Sequence, residues 1–361
     1  MRKSSNSPLW PLAVRLVIFA SLAFTLWLIS AALFVSPGVD NFEYRGVQGR
    51  SLHTRSARRP SPLELYVAAR AGDVGEVRAL LSRGAKVDAA TSTGEQALHA
   101  AASGGFTEIV VLLLGTEGVF PSDETVFGVT PLLLAATKGH GDIVTLLLSA
   151  GANVHTVTTY DKATPFMRAA RARHEGIVQS LLGAGSAPDA RDVDGRTALT
   201  YAAEEGAVSI VRLLLSAKAD VDAFQLSNGM TPLMFAANSG NTELVELLTS
   251  NGAGVNLTST WDKMTPLHRA ASGSHVAVVK QLLAMGSVVD SPSMGSGQDG
   301  LTPLMLAARA GSADVCKLLI EAGANPAAKD GWKADKVSVL DYAAQTGSQE
   351  LVDFLKSKGA V

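Results

Sequence analysis

One ten-residue block recurs nine times from Leu63 onward, and that recurrence limits the fold more than any other feature. Its clearest copies are TPLLLAATKG from Thr130, TPFMRAARAR from Thr164, TALTYAAEEG from Thr197, TPLMFAANSG from Thr231, TPLHRAASGS from Thr265 and TPLMLAARAG from Thr302. Weaker copies start at Leu63, Gln96 and Ser338. The successive spacings are 33, 34, 34, 33, 34, 34, 37 and 36 residues. Nine units fill the chain from Leu63 to Val361 and leave no space between them for another globular domain. A period of this size marks stacked supersecondary units, none of which can bury its apolar face alone.

Each unit carries its own helix signals. A Thr before Pro suits the start of a helix. The hydroxyl caps an open amide, and the missing N–H of Pro costs nothing in the first turn. Paired alanines, such as Ala135-Ala136, let neighbouring helices approach closely. A second apolar stretch follows, as in GDIVTLLLSAGANV (Gly141–Val154). There Ile143, Val144, Leu147 and Leu148 recur at the spacing of one buried helix face. Gly151 ends that helix, because a left-handed residue is cheap there only for glycine.

The pattern TPLHxAA, then a Gly turn, then xxxVxxLLxxGAxV resembles the ankyrin repeat. The resemblance implies an all-α repeat solenoid, two short antiparallel helices per unit, with β-hairpin fingers between units. It also implies that His99 and His268, at the H of the motif, tie neighbouring loops by hydrogen bonds. The remaining histidines show no ligand spacing. Cys316, the one cysteine, is expected to be a small core thiol. No nucleophile, phosphate loop or carboxylate pair is assembled. No catalytic residue, cofactor, metal or small-molecule substrate is therefore expected.

Charge divides the chain. Residues 1–62 hold eight basic residues against Asp40 and Glu43, so the overall net charge of −2 hides a basic leader and an acidic body. Neither the total nor the body points to nucleic acid. Within the leader, Leu16 to Val35 (LVIFASLAFTLWLISAALFV) runs 20 residues without charge, proline or glycine. As a helix it would span about 30 Å, the thickness of a bilayer's hydrocarbon core. The sequence thus predicts residues 1–15 as a short basic flank, 16–35 as an N-terminal transmembrane helix, 36–62 as a basic flexible linker and 63–361 as the repeat domain.

Whether the apolar run persists as a signal anchor or is removed as a signal peptide stays open. Its length favours an anchor. Ser30-Ala31-Ala32 are small enough to serve a peptidase. Orientation is undecided, with Arg2, Lys3 and Arg15 on one side and Arg45, Arg50 and Arg55 on the other. The linker stretch Tyr44–Ser61 has five arginines and no acid, which suits either a solvated linker or a transit peptide.

Two units are more alike than the rest. Gly151–His174 matches Gly252–His275 at an offset of 101 residues, pairing Tyr160-Asp161-Lys162 with Trp261-Asp262-Lys263, Arg168 with Arg269, and His174 with His275. Both put a non-glycine, Arg173 or Ser274, where the family turns on Gly. A left-handed residue of that kind costs about 1 kcal/mol. Duplication of a three-unit block accounts for the shared offset.

In the family, partners lie against the fingers and first helices. Carried over position by position, this nominates Phe127, Tyr160, Phe224, Trp261 and Trp332 on the fingers, as exposed anchors or as packing for neighbouring fingers. On the groove side it nominates Lys138, Arg171, Glu204, Glu205, Asn238 and Arg309. The finger before Thr302 is enlarged by Ser291–Gln298, whose Ser/Gly content suits a mobile loop. Asn256-Leu257-Thr258 matches the N-glycosylation pattern. The expected function is a non-enzymatic, membrane-anchored, single-pass scaffold or adaptor that binds another protein and contacts lipid through Leu16–Val35. The alternative is an exported or organelle-targeted array whose leader is cleaved, placing it in the secretory pathway or an organelle.

Overall fold

A computed structural model describes residues 59–294, 300–331 and 336–361. The apolar run Leu16–Val35, its flanks up to residue 58, Trp332 and Gly295–Gln298 of the insertion lie outside the described residues. Among the described residues, no helix is long and apolar enough to cross a membrane.

Among the described residues nine helix pairs follow one another, from Glu64–Ala71 and Val74–Ser82 in repeat 1 to Val339–Gln345 and Gln349–Ser357 in repeat 9. First helices stack on first helices, and second helices on second helices. The capping logic of the sequence is realised. The Thr hydroxyls at 130, 164, 197, 231, 265 and 302, and Ser338, each accept the backbone N–H three residues on, at 3.2–3.5 Å. The paired alanines from Ala101-Ala102 to Ala307-Ala308 are fully buried, whereas in the last repeat Ala343 is buried and Ala344 exposed. One continuous apolar core runs from Leu65 to Ala360. Cys316 is part of it, and burial pushes its thiol up to about 12. An inert core thiol fits that value.

Between the two helices of a unit, Gly takes the left-handed turn, and it has a second reason to be small. His174 donates from Nε2 to the Thr137 carbonyl one repeat back (3.3 Å), and His140 and His275 do the same to Ser103 and Asn238. The His174 ring then lies against Gly139 (φ 84°), where an added Cβ would stand 2.7 Å from it. Arg173 and Ser274 adopt positive φ of 63° and 58°, as their place at this turn requires, so both duplicated repeats carry this strain.

One expectation is corrected. The fingers are not β-hairpins: among the described residues there is no strand, and the one isolated bridge pairs Lys329 with Ser338. Each finger is a tight turn, in most cases with a bond near the tip such as Gly128 N–H to the Thr125 carbonyl, closed by a bond from its first residue to its last. Examples are Thr125 N–H to the Val129 carbonyl and Ser259 N–H to the Met264 carbonyl. The Asp194 carboxylate accepts from the Gln225 side chain and from the Ser227 amide and hydroxyl of the next finger, and six neighbouring pairs of fingers are joined by backbone bonds. These run from Val126 to Thr93, Thr159 to Phe127, Val193 to Asp161, Leu226 to Asp194, Thr260 to Asn228 and Met294 to Asp262, at 2.7–3.0 Å. These isolated rungs fix the row without enough consecutive pairing to make a strand.

Candidate interaction surface

The fingers before repeats 4 and 7, Thr158–Ala163 and Ser259–Met264, contain one residue more than the five-residue form at Thr125–Val129 or Asp192–Arg196, as does Gln225–Met230 before repeat 6. The extra residue makes room for an inward carboxylate. In the first, the Thr158 hydroxyl donates to Asp161 and accepts the Ala163 N–H (3.0 Å), and Arg168 reaches Asp161 Oδ2 at 2.5 Å. In the second, the Ser259 hydroxyl donates to Asp262 and accepts the Met264 N–H (3.0 Å), and Arg269 reaches both carboxylate oxygens at 2.9 and 2.7 Å. The duplicated sequence therefore builds the same bonded constellation twice.

Burial opposes ionisation of both carboxyls. The hydroxyl, guanidinium and amide partners more than offset it and hold Asp161 and Asp262 below the usual carboxylate range. A depressed carboxyl stabilises the fold above its unfolded pKa, about 3.9, and that contribution is lost as pH falls through the folded value. Asp161→Asn and Asp262→Asn are each expected to cost about 1.5–3 kcal/mol, the range for hydrogen bonds to charged groups. The two sites share no partner, so the losses should add in the double variant. Urea titration at pH 7 and pH 3 checks this, with the difference from wild type shrinking at the lower pH.

The other fingers solve the same problem differently. The Asp192 carboxylate accepts the Asp194 and Arg196 amides at 2.9 Å and the Tyr201 hydroxyl at 2.6 Å. Asp330 repeats this with Val337 and Tyr342. Burial, then the Asp192 hydrogen bond, pushes the Tyr201 phenol up to about 12. Arg171 and Arg196 lie over the Tyr201 ring at 5.5 and 5.2 Å, and Arg196 also pairs with Glu204 at 2.8 Å. Sequence reasoning did not single out Tyr201. Its signal was available, since it occupies the register of Arg168 and Arg269.

All the nominated residues within the described chain are exposed, but they are not equivalent. Tyr160 and Trp261 share one tip register, which Phe127 approaches in its shorter finger; they are 66% and 64% exposed. Phe224 does not join them. It precedes the buried Gln225, three residues before Ser227, which fills the Tyr160 register, and is 39% exposed. Beside the tips stand Val126, Val193, Leu226 and Met294, exposed apolar residues at the position that donates each inter-finger bond. The sequence reading missed them. On the groove side, Arg171 is brought against Tyr201 and Glu204 against Arg196. Lys138, Glu205, Asn238 and Arg309 each stand exposed near the end of a first helix.

Other features have structural employment. His268 Nδ1 accepts the Thr265 N–H (3.1 Å) and its Nε2 donates to the Leu301 carbonyl (3.1 Å); His99 makes the matching bonds to Gln96 and Val129. Both tie successive repeats, as the resemblance implied. Asn256 uses both ends of its amide on the next repeat, donating to Gly286 and accepting from Val288. A shallow cleft of about 180 Å³ opens among Val154, His155, Thr164, Phe166, Ser186 and Arg191, and none of the nominated residues lines it. Among the described residues, no group of three or more His, Cys, Asp or Glu is placed to hold a metal ion.

A family model described as ankyrin repeats (3 copies) matches residues 65–158, 155–225, 220–293 and 289–361. Among solved structures, the chain is similar to the human ASB11 ankyrin repeat domain, with a TM-score of 0.55 and 27% sequence identity, covering 64% of this chain and 99% of that one. Comparison with curated proteins yields no match.

Proposed function

Since the chain belongs to the ankyrin-repeat family, we propose that it is a non-catalytic scaffold that holds a partner protein against its fingertips and first-helix groove. The observation that carries this reading is the pair of exposed rings, Tyr160 and Trp261, on fingers held from behind by the same half-buried bonds. A large ring on a pre-ordered turn buries area with little further loss of entropy, which is what an interface anchor requires. The groove charges are mixed, Lys138, Arg171 and Arg309 against Glu204 and Glu205, so they select a partner more than they attract one.

In this reading Leu16–Val35 tethers the array to a bilayer as a single-pass anchor. Its 20 uncharged residues support that role. The alternative, an exported or organelle-targeted array released by cleavage near Ser30-Ala31-Ala32, keeps the same fingers. A mature amino terminus near Leu33 or Ser61 would select it.

The docking reading is tested with Tyr160→Ala/Trp261→Ala. Hot-spot truncations cost about 2 kcal/mol or more each, so recovery of partners from a membrane extract should fall more than about tenfold. Circular dichroism should be unchanged, because both rings are exposed. Undiminished recovery by the folded double variant would refute the reading.

A further inference from the structure

The duplicated fingers go beyond a shared ancestry. Each presents the same outward chemistry in the same frame. Asp161 and Asp262 are turned inward and spent on Arg168 and Arg269. Lys162 and Lys263 sit in left-handed backbone, at φ 59° and 51°, directly after the aspartates, and both are exposed. Among the described residues, no carboxylate forms an ion pair with either lysine. An aromatic face with a cation beside it is therefore shown twice. The two fingers between lack it, with Asp194-Gly195 and Ser227 to Gly229 in those places.

Repeats 4 and 7 are related by stacking, so the two fingers run in the same chain direction. A partner with a two-fold axis offers its like patches in opposed directions. A segment that carries one motif twice in tandem offers them in the same direction. We infer that the two fingers are equivalent docking sites for a partner chain bearing two tandem copies of one acidic, apolar-containing motif. This rests on the finger-docking reading above and specifies its occupant. The apolar side chain of each motif lies on the ring, and its carboxylate meets the lysine.

Geometry sets the spacing. Stacked helices lie about 8–10 Å apart, so three repeats separate the fingers by about 25–30 Å. An extended chain covers about 3.3 Å per residue, so the motifs need at least about eight residues between them. Linking two such contacts raises affinity by about 10²–10⁴-fold with no new contact.

The test uses the full chain and a display library of random twelve-residue peptides. Trp261→Ala leaves the Tyr160 finger alone, and Tyr160→Ala leaves the Trp261 finger alone. The inference expects both variants to select the same consensus, enriched in Asp or Glu beside an apolar residue. Lys162→Asn, which suits left-handed backbone, should remove the acidic preference in the Trp261→Ala background. Two copies of the consensus motif alone, trimmed of its flanking residues and joined by a 12-residue linker, should bind wild type about 100-fold or more tighter than one copy. Neither a 3-residue linker nor either single variant should show that gain. Unlike consensus sequences, a consensus without acids, or no gain from the long tandem overturns the inference and leaves finger docking standing. Failure of every form of the protein to select a finger-dependent peptide overturns both.

Discussion

Replacing Phe166 with alanine should cost about 3–5 kcal/mol, the range for deleting a buried aromatic ring. Phe166 is among the largest fully buried side chains and lies in the first helix of repeat 4, Pro165–Arg171, next to the 180 Å³ cleft. The cleft adjoins the void the ring would leave, and the stacked backbone limits collapse. The position matters as much as the size. In a stack where each unit touches only its neighbours, stability is roughly a sum of units and interfaces. Weakening repeat 4 therefore uncouples repeats 1–3 from repeats 5–9. Urea unfolding followed by circular dichroism and, with Trp10 and Trp27 replaced by Phe, by Trp fluorescence should separate into two transitions, because the remaining Trp261 and Trp332 report from the far side of the break. A single transition displaced by less than about 1 kcal/mol would contradict this account.

The second large effect is an acid sensitivity at His268. The ring is fully buried, and burial pushes its pKa down to about 4 from an ordinary value near 6.5. Between those two values the unfolded chain holds the proton and the folded chain does not. Stability therefore falls as pH drops from 6.5, and the loss is complete below about 4. The shift corresponds to about 3 kcal/mol at 1.36 kcal/mol per unit. Protonation also removes the Nδ1 lone pair that accepts the Thr265 amide. His99 is lowered by burial in the same direction and adds to the slope. His268→Gln should lose stability at pH 7 and show a shallower fall between pH 6.5 and 4. Equal slopes for the variant and wild type would remove His268 as the cause.

The helices were legible because their signals are local. A Thr hydroxyl caps the amide three residues away, Pro suits the first turn and Gly takes the left-handed turn, whatever the neighbours do. The left-handed Arg173 and Ser274 were legible for the same reason, as departures from a position that fixes φ. The fingers were less so. Thr125, Thr158, Asp192 and Ser259 occupy one register, yet hold their turns through different partners. The Asp161–Arg168 pair forms only because one extra residue turns the carboxylate inward. Tyr201 is meaningful only once Asp192 and the two arginines converge on it. The hairpin expectation failed because strand pairing needs rungs that continue past the turn, and the bonds of each finger close only the turn itself. Val126, Val193, Leu226 and Met294 read as ordinary scattered apolar residues until stacking set them side by side.

The sparse hydrogen bonding between fingers has a mechanical consequence. One amide hydrogen bond contributes about 1 kcal/mol net, whereas the helices of adjacent repeats share fully buried faces. The two margins of the array thus differ in stiffness. It behaves as a strip with a firm spine and a compliant fringe, and it bends by opening or closing the fringe. Curvature then sets the gap between the Tyr160 and Trp261 rings, so that span can change without disturbing the core.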